Sequence, residues 1–355
     1  MDKRIREHAK ILVNWSTEIN NGENVLISAS EDAKELVVAL YEEIGKKGAN
    51  PITLFSSNEA KRRYLKNYED EFETPDHLLS LSEKTDATIM IKSDPNLMSM
   101  NDVPGKTLTR HSKAREPVRE EFLSKKWCLT QHPTNAQAQM AEMSLEEYKD
   151  FVYDAILRDW KEVHKKQEIL KKRLDQGKEV RIEGPDTDIT MSIDGMLAEN
   201  SDGKNNMPSG EVFTAPVVDS VEGRILFDKP LLFRGTEIEG VELKFENGKV
   251  TNYDAKTGED KLGDILEADE GSKRIGELGI GTNRGIDRFT KNMLFDEKMG
   301  ETIHMALGRA YEENIGEGRK QNKSAIHVDI IKDMGTGKLE LDGEPILKDG
   351  KFPWD

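Results

Sequence analysis

Between Asn24 and Pro133 the chain alternates short apolar runs with amphipathic helical patterns, and this alternation limits the possible folds more than any other feature. NVLISAS (24–30), PITLF (51–55), ATIMIKS (87–93) and WCLTQHP (127–133) read as strands. Between the first two, Leu36, Val37, Leu40, Tyr41 and Ile44 form an apolar helical stripe, opened by Ser30-Glu31-Asp32 and closed by Gly48. Upstream, Ile5, Ala9, Leu12, Val13, Trp15 and Ile19 predict a helix over 4–20 that Gly22 ends. Strands separated by helices predict a mostly parallel sheet with helices on both faces.

A long helical pattern follows over about 144–176, starting at the capping box Ser144-Leu-Glu-Glu147 and ending at Gly177. Its run KKQEILKKR is the solvated face of that helix. After it the texture changes. EVRIEG (179–184) and DITMSI (188–193) read as strands joined by a turn at Gly184-Pro185-Asp186. EVFTAPVV, GRILFD, KPLLF, GVELKFENGKV and SAIHVDII follow as further strands, with a hairpin turn at Glu246-Asn247-Gly248-Lys249. The expectation is an α/β N-terminal domain over 1–178, followed by a β-rich α+β domain over 179–355.

Composition restricts the function. Charged residues make up 34% of the chain and the net charge is -16, which argues against nucleic acid or an anionic membrane as the main partner. Cys128 is alone, so neither a disulfide framework nor a thiolate-rich metal site is expected. The segment MDKRIREHAKILVNW lacks the apolar core of a signal peptide, and no run approaches the ~20 apolar residues that span a bilayer. A cytoplasmic protein is expected.

The chemistry concentrates in the last third. Glu211, Glu277, Glu297, His304, Tyr311, His327 and Asp329 are the parts of a two-metal hydrolytic centre, and the only two histidines after residue 164 belong to this set. His327 and Asp329 would share one face of a strand, although an ordinary pair on a sheet surface would look the same. His304, Gly308 and Tyr311 are spaced as one stripe of a helix, where the glycine suggests close approach to the backbone. Helix packing against Gly308 with a core histidine fits that pattern as well. Glu277 sits among glycines in RIGELGIGTN, which predicts a tight loop holding the acid; the glycine spacing is wrong for a dinucleotide fingerprint. Glu211 would start a strand and Glu297 would precede the His304 helix; either alone reads as a solvated surface acid.

Taken in order, GEVFTAP (210–216), RIGELGIGTN (274–283), LFDEK (294–298), TIHMALGRAY (302–311) and NKSAIHVD (322–329) resemble the thermophilic-type metallo-aminopeptidases. LVNWSTEINNGENVLISAS (12–30) and KGANPITLF (47–55) are similar too, so the likeness covers nearly the whole chain. The resemblance implies metal ligands at Glu211, Glu277, His304, His327 and Asp329, with Glu277 bridging two ions. It implies a further ligand at Glu297, seven residues before the histidine, and a catalytic tyrosine at Tyr311. It also implies two divalent ions (zinc, cobalt or manganese), peptide substrates with a free N-terminus, and a homodimer. A metallohydrolase acting on another amide, or a metal-binding protein that keeps the fold without catalysis, remain alternatives.

Overall fold

The structure, a computed structural model, describes residues 1–233 and 235–353. It comprises two compact units, Met1–Leu157 with Gly203–Pro208, and Arg158–Asp202 with Ser209–Asp355. This division falls at 157/158, one helix before the boundary expected at 178/179.

In the first unit the four expected strands form, as β1 (Asn24–Ala29), β2 (Asn50–Phe55), β3 (Ala87–Lys92) and β4 (Lys126–Gln131). They run parallel in the order β2-β1-β3-β4, and Asn206–Met207 adds a short strand beside β4. β1 lies inside the sheet between β2 and β3, and Val25, Leu26, Ile27 and Ala29 are buried as an apolar run requires. β2 is the edge, and its Ile52 and Leu54 remain 47% and 38% exposed. The helix expected over 4–20 runs from Lys3 to Ile11 and widens into a π turn over Leu12–Ser16. The helical region 144–176 is two helices, Leu145–Ile156 and Trp160–Gln176. Asp159 restarts the chain between them by accepting from the Glu162 amide at 3.2 Å. The two units part at this break.

The second unit is built from antiparallel sheets. One has seven strands, ordered 249–254, 242–246, 222–226, 187–192, 179–184, 338–341 and 344–348. Asn247 and Gly248 both take positive φ, which makes the expected hairpin turn. The second sheet contains β5 (Glu211–Thr214), β6 (Ile275–Gly281), β7 (Thr302–Gly308) and β8 (His327–Asp333), in the order β8-β7-β6-β5, with Glu199–Ser201 outside β5. One core joins both sheets: Val180, Ile189, Ile225 and Phe245 from the first meet Val212, Leu278, Met305 and Ile330 from the second. Among the described residues no helix is long and apolar enough to cross a membrane.

Two local expectations are corrected. The segment carrying His304 is the strand β7 and not a helix, and Glu277 lies within the strand β6 and not in a loop. Every residue of both strands is buried. A strand covered on both faces loses the polar–apolar alternation that would announce it. In β6, Gly279 and Gly281 mark close approaches to the backbone, as glycines within strands often do.

Candidate metal centre

The second sheet turns one face to the core and collects the acids and imidazoles on the other. Side chains alternate along each strand, so Ile303, Met305 and Leu307 of β7 enter the core while His304, Ala306 and Gly308 face away. Register sets the remaining positions. Gly281 lies opposite Glu211, Gly279 opposite His304, Ala306 opposite both Glu277 and Asp329, and Gly308 opposite His327. Small residues therefore alternate with functional ones across four strands. A Cβ on Gly279 would stand 2.0 Å from both Cε1 and Nε2 of His304, so the glycine is what leaves room for the imidazole.

Two sets of donors result. Glu211, Glu277 and His304 form one, and Glu277, His327 and Asp329 the other, each with ligand atoms within 4.8 Å of one another. Glu277 belongs to both. Its Oε1 accepts from His304 Nε2 at 3.0 Å, and its Oε2 lies 3.7 Å from His327 Nε2. Glu211 Oε2 is 3.5 Å from His304 Nε2, and His327 Nε2 is 3.3 Å from Asp329 Oδ1. His327 Nδ1 donates to the Arg309 carbonyl at 2.7 Å, which fixes the ring and turns Nε2 toward the acids.

Burial and proximity shift the titrations strongly. Burial pushes Glu211 up to about 7, with Lys298 and His304 opposing and Glu297 and Glu277 adding. Burial also raises Glu277. His304 would be lowered by burial, but Glu277 and Glu211 hold it up at about 10. His327 follows the same logic beside Asp329 and reaches about 9. Asp329 is lowered: burial pushes it up, and the neighbouring His327 more than offsets that.

These donors fit a divalent cation. Glu211 Oε2, Glu277 Oε2 and Asp329 Oδ1 are buried without a hydrogen-bond partner, an expensive condition for carboxylate oxygens. Carboxylates and imidazoles without thiolate are the ligands of zinc, cobalt and manganese sites.

The other expected residues fall nearby. The Tyr311 ring lies beside that of His327, with centroids 4.8 Å apart, and burial raises its hydroxyl well above the ordinary value. Tyr311 follows β7 in irregular chain, so the helical stripe does not place it there. Glu297 bonds to Lys298 and stands outside both donor sets. The sequence motif LFDEK contains Asp296 and Lys298 but assigns neither a role; the charged run Asp-Glu-Lys is their only signal. A separate cleft of about 870 Å³ opens beyond the carboxyl ends of β1–β3 and holds none of these residues.

A sheet face that gathers carboxylates and imidazoles with unpaired buried oxygens defines a metalloprotein of the divalent-metal class. A family model described as thermophilic metalloprotease (M29) matches residues 1–352, and the chain belongs to that family. It is 28% identical to aminopeptidase 2 of Geobacillus stearothermophilus over 402 residues, covering 99% of this chain and 95% of that one. It is 25% identical to aminopeptidase T of Thermus thermophilus over 407 residues, covering 99% and 98%. The solved structure of wild-type AmpT from Thermus thermophilus superposes with a TM-score of 0.85 at 23% identity, covering 99% of both chains, and shows the same fold.

Proposed function

We propose that the protein is a metal-dependent aminopeptidase that releases the N-terminal residue of peptides, using two divalent ions that share Glu277. One observation carries the two-ion reading: the two oxygens of a single buried carboxylate address two different imidazoles, His304 and His327. Glu211 and His304 would complete one position, and His327 and Asp329 the other. Named aminopeptidases similar over 99% of the chain support the peptide substrate.

When bound, such ions lower the pKa of water and polarise a scissile carbonyl. The protein's own groups orient and complete that chemistry. Arg309 holds His327 through its carbonyl, and Gly279 makes space for His304. Tyr311 keeps its proton and offers a hydrogen bond to the developing oxyanion. Glu297 is a further carboxylate for an ion or for the peptide's free amine. In the first unit, exposed Ile52 and Leu54 on the edge strand β2 support a second copy of the chain as partner. We place the protein in the cytoplasm on its composition.

The test is release of leucine from a leucyl-arylamide before and after chelation, with zinc, cobalt or manganese restored separately. An N-acetylated substrate runs in parallel. Metal-dependent release from the free amine alone is expected. Equal cleavage of the acetylated substrate would move the protein to another amide hydrolase, and metal binding without turnover on any peptide would make it a binding protein.

A further inference from the structure

Lys298 is fully buried, yet it carries an ammonium group beside the donors. Its Nζ is 3.3 Å from Glu211 Oε1 and hydrogen-bonds to Glu297 Oε1. A cation here opposes the loading of a divalent ion by direct repulsion. A methionine would fill similar volume without that opposition, so the ammonium contributes something other than packing.

What it contributes is direction. Glu211 has two oxygens: Lys298 engages Oε1, and Oε2 turns toward His304 without a hydrogen bond. Glu297 is tethered through Oε1 to the same ammonium. Lys298 itself cannot drift. Its amide donates to the Phe295 carbonyl at 2.9 Å, and its carbonyl accepts from the Asn283 amide at 3.0 Å. Just upstream, Asp296 is buried and accepts from the Thr290 amide, the Thr290 hydroxyl and the Asn292 amide, each at 2.8 Å. The Lys298 carbonyl carbon also packs 3.1 Å from where a Cβ on Gly281 would stand, and Gly281 is the register partner of Glu211. The backbone that carries the ammonium is therefore locked to the strand position facing its target.

We propose that Lys298 is a positioning residue of the metal centre: it occupies one oxygen of Glu211 and one of Glu297, so that Glu211 meets a metal ion through Oε2 alone. The inference rests on the metal-centre reading above. Withholding one oxygen keeps the coordination number low and leaves a position for water or substrate, which a catalytic metal site requires and a closed structural site lacks.

The experiment loads the parent and Lys298→Met with cobalt and records visible absorption per bound ion, alongside kcat and KM on a leucyl-arylamide. Release of Glu211 Oε1 adds an oxygen ligand, so the variant's d–d bands weaken. Its kcat falls by about 10–100-fold, the range for lost partners of metal ligands, with KM changed much less. Unchanged bands, or bands that shift with kcat intact, would overturn the proposal. A parent that binds no cobalt would instead defeat the metal centre itself. If Lys298→Met does not fold, a crystal structure of the cobalt-loaded parent decides: Glu211 bound through both oxygens, or Lys298 Nζ displaced from Glu211, is the overturning result.

Discussion

Gly279 has no side chain because His304 fills the space where one would stand. In Gly279→Ala the imidazole must move or the strands must part. Competition with a metal indicator should show cobalt affinity weakened by about tenfold or more, in line with lost support for a metal ligand. Circular dichroism should stay close to the parent's. Tyr311 makes the complementary case, because its ring touches His327 while its hydroxyl belongs to neither donor set. Tyr311→Phe should lower kcat by ~100-fold or more, the usual consequence of removing an oxyanion donor, while metal content is unchanged. Equal loss of metal and activity would remove that role. His8 lies far along the chain from this chemistry. Thr130 Oγ1 donates to the Met207 carbonyl, so it accepts from His8 Nε2, and the buried His8 Nδ1 is left without a partner.

At the scale of elements, strand and helix were legible where the pattern was amphipathic or a short apolar run stood between turn signals. The helix Lys34–Lys47 and the strands β1, β3 and β4 lie where local periodicity put them. The failures share a cause. β6 and β7 are buried on both faces and show no alternation; Gly276, Gly279 and Gly281 read as a loop around Glu277, and the spacing of His304 and Gly308 read as a helix. His304 and Gly308 are both even-numbered and also four apart, which satisfies strand and helix spacing together; only pairing with β6 and β8 decides between them. The break at 157–159 was hidden because two helices separated by three residues keep nearly the same apolar stripe. Asp159→Ala removes the cap that restarts the second helix and should cost about 1 kcal/mol, read as a lower urea midpoint for the second unit.

For the whole molecule, acid stability depends on groups that enter the core neutral. Burial lowers His8 to about 3 and also lowers His132. The unfolded chain binds protons at these imidazoles near their ordinary value of about 6.5, and the folded chain does not until far lower pH. Their contribution to stability is therefore complete above about pH 6.5 and is lost as pH falls toward 3. The urea midpoint of the first unit, followed through Trp15 and Trp127, should drop between pH 7 and pH 5, and His8→Gln should flatten that slope. Metal removal acts on the second unit. Chelation should lower its melting temperature, and re-addition of the metal should restore it, because a ligand that binds only the folded state stabilises it by mass action.

Taken alone, the sequence determined the four strands of the first unit and the helix between the first two, the β-rich character of the second unit, and which segments carry its acids and imidazoles. Those follow from local period, turn residues and residue type, which the chain carries in its own order. The tertiary structure alone decided that β7 is a strand, that Glu277 stands between His304 and His327, that Tyr311 reaches the same face, and that a buried lysine holds Glu211 by one oxygen. Each depends on pairing and packing between segments distant in sequence, which is set by which faces the core buries. No local pattern contains that information.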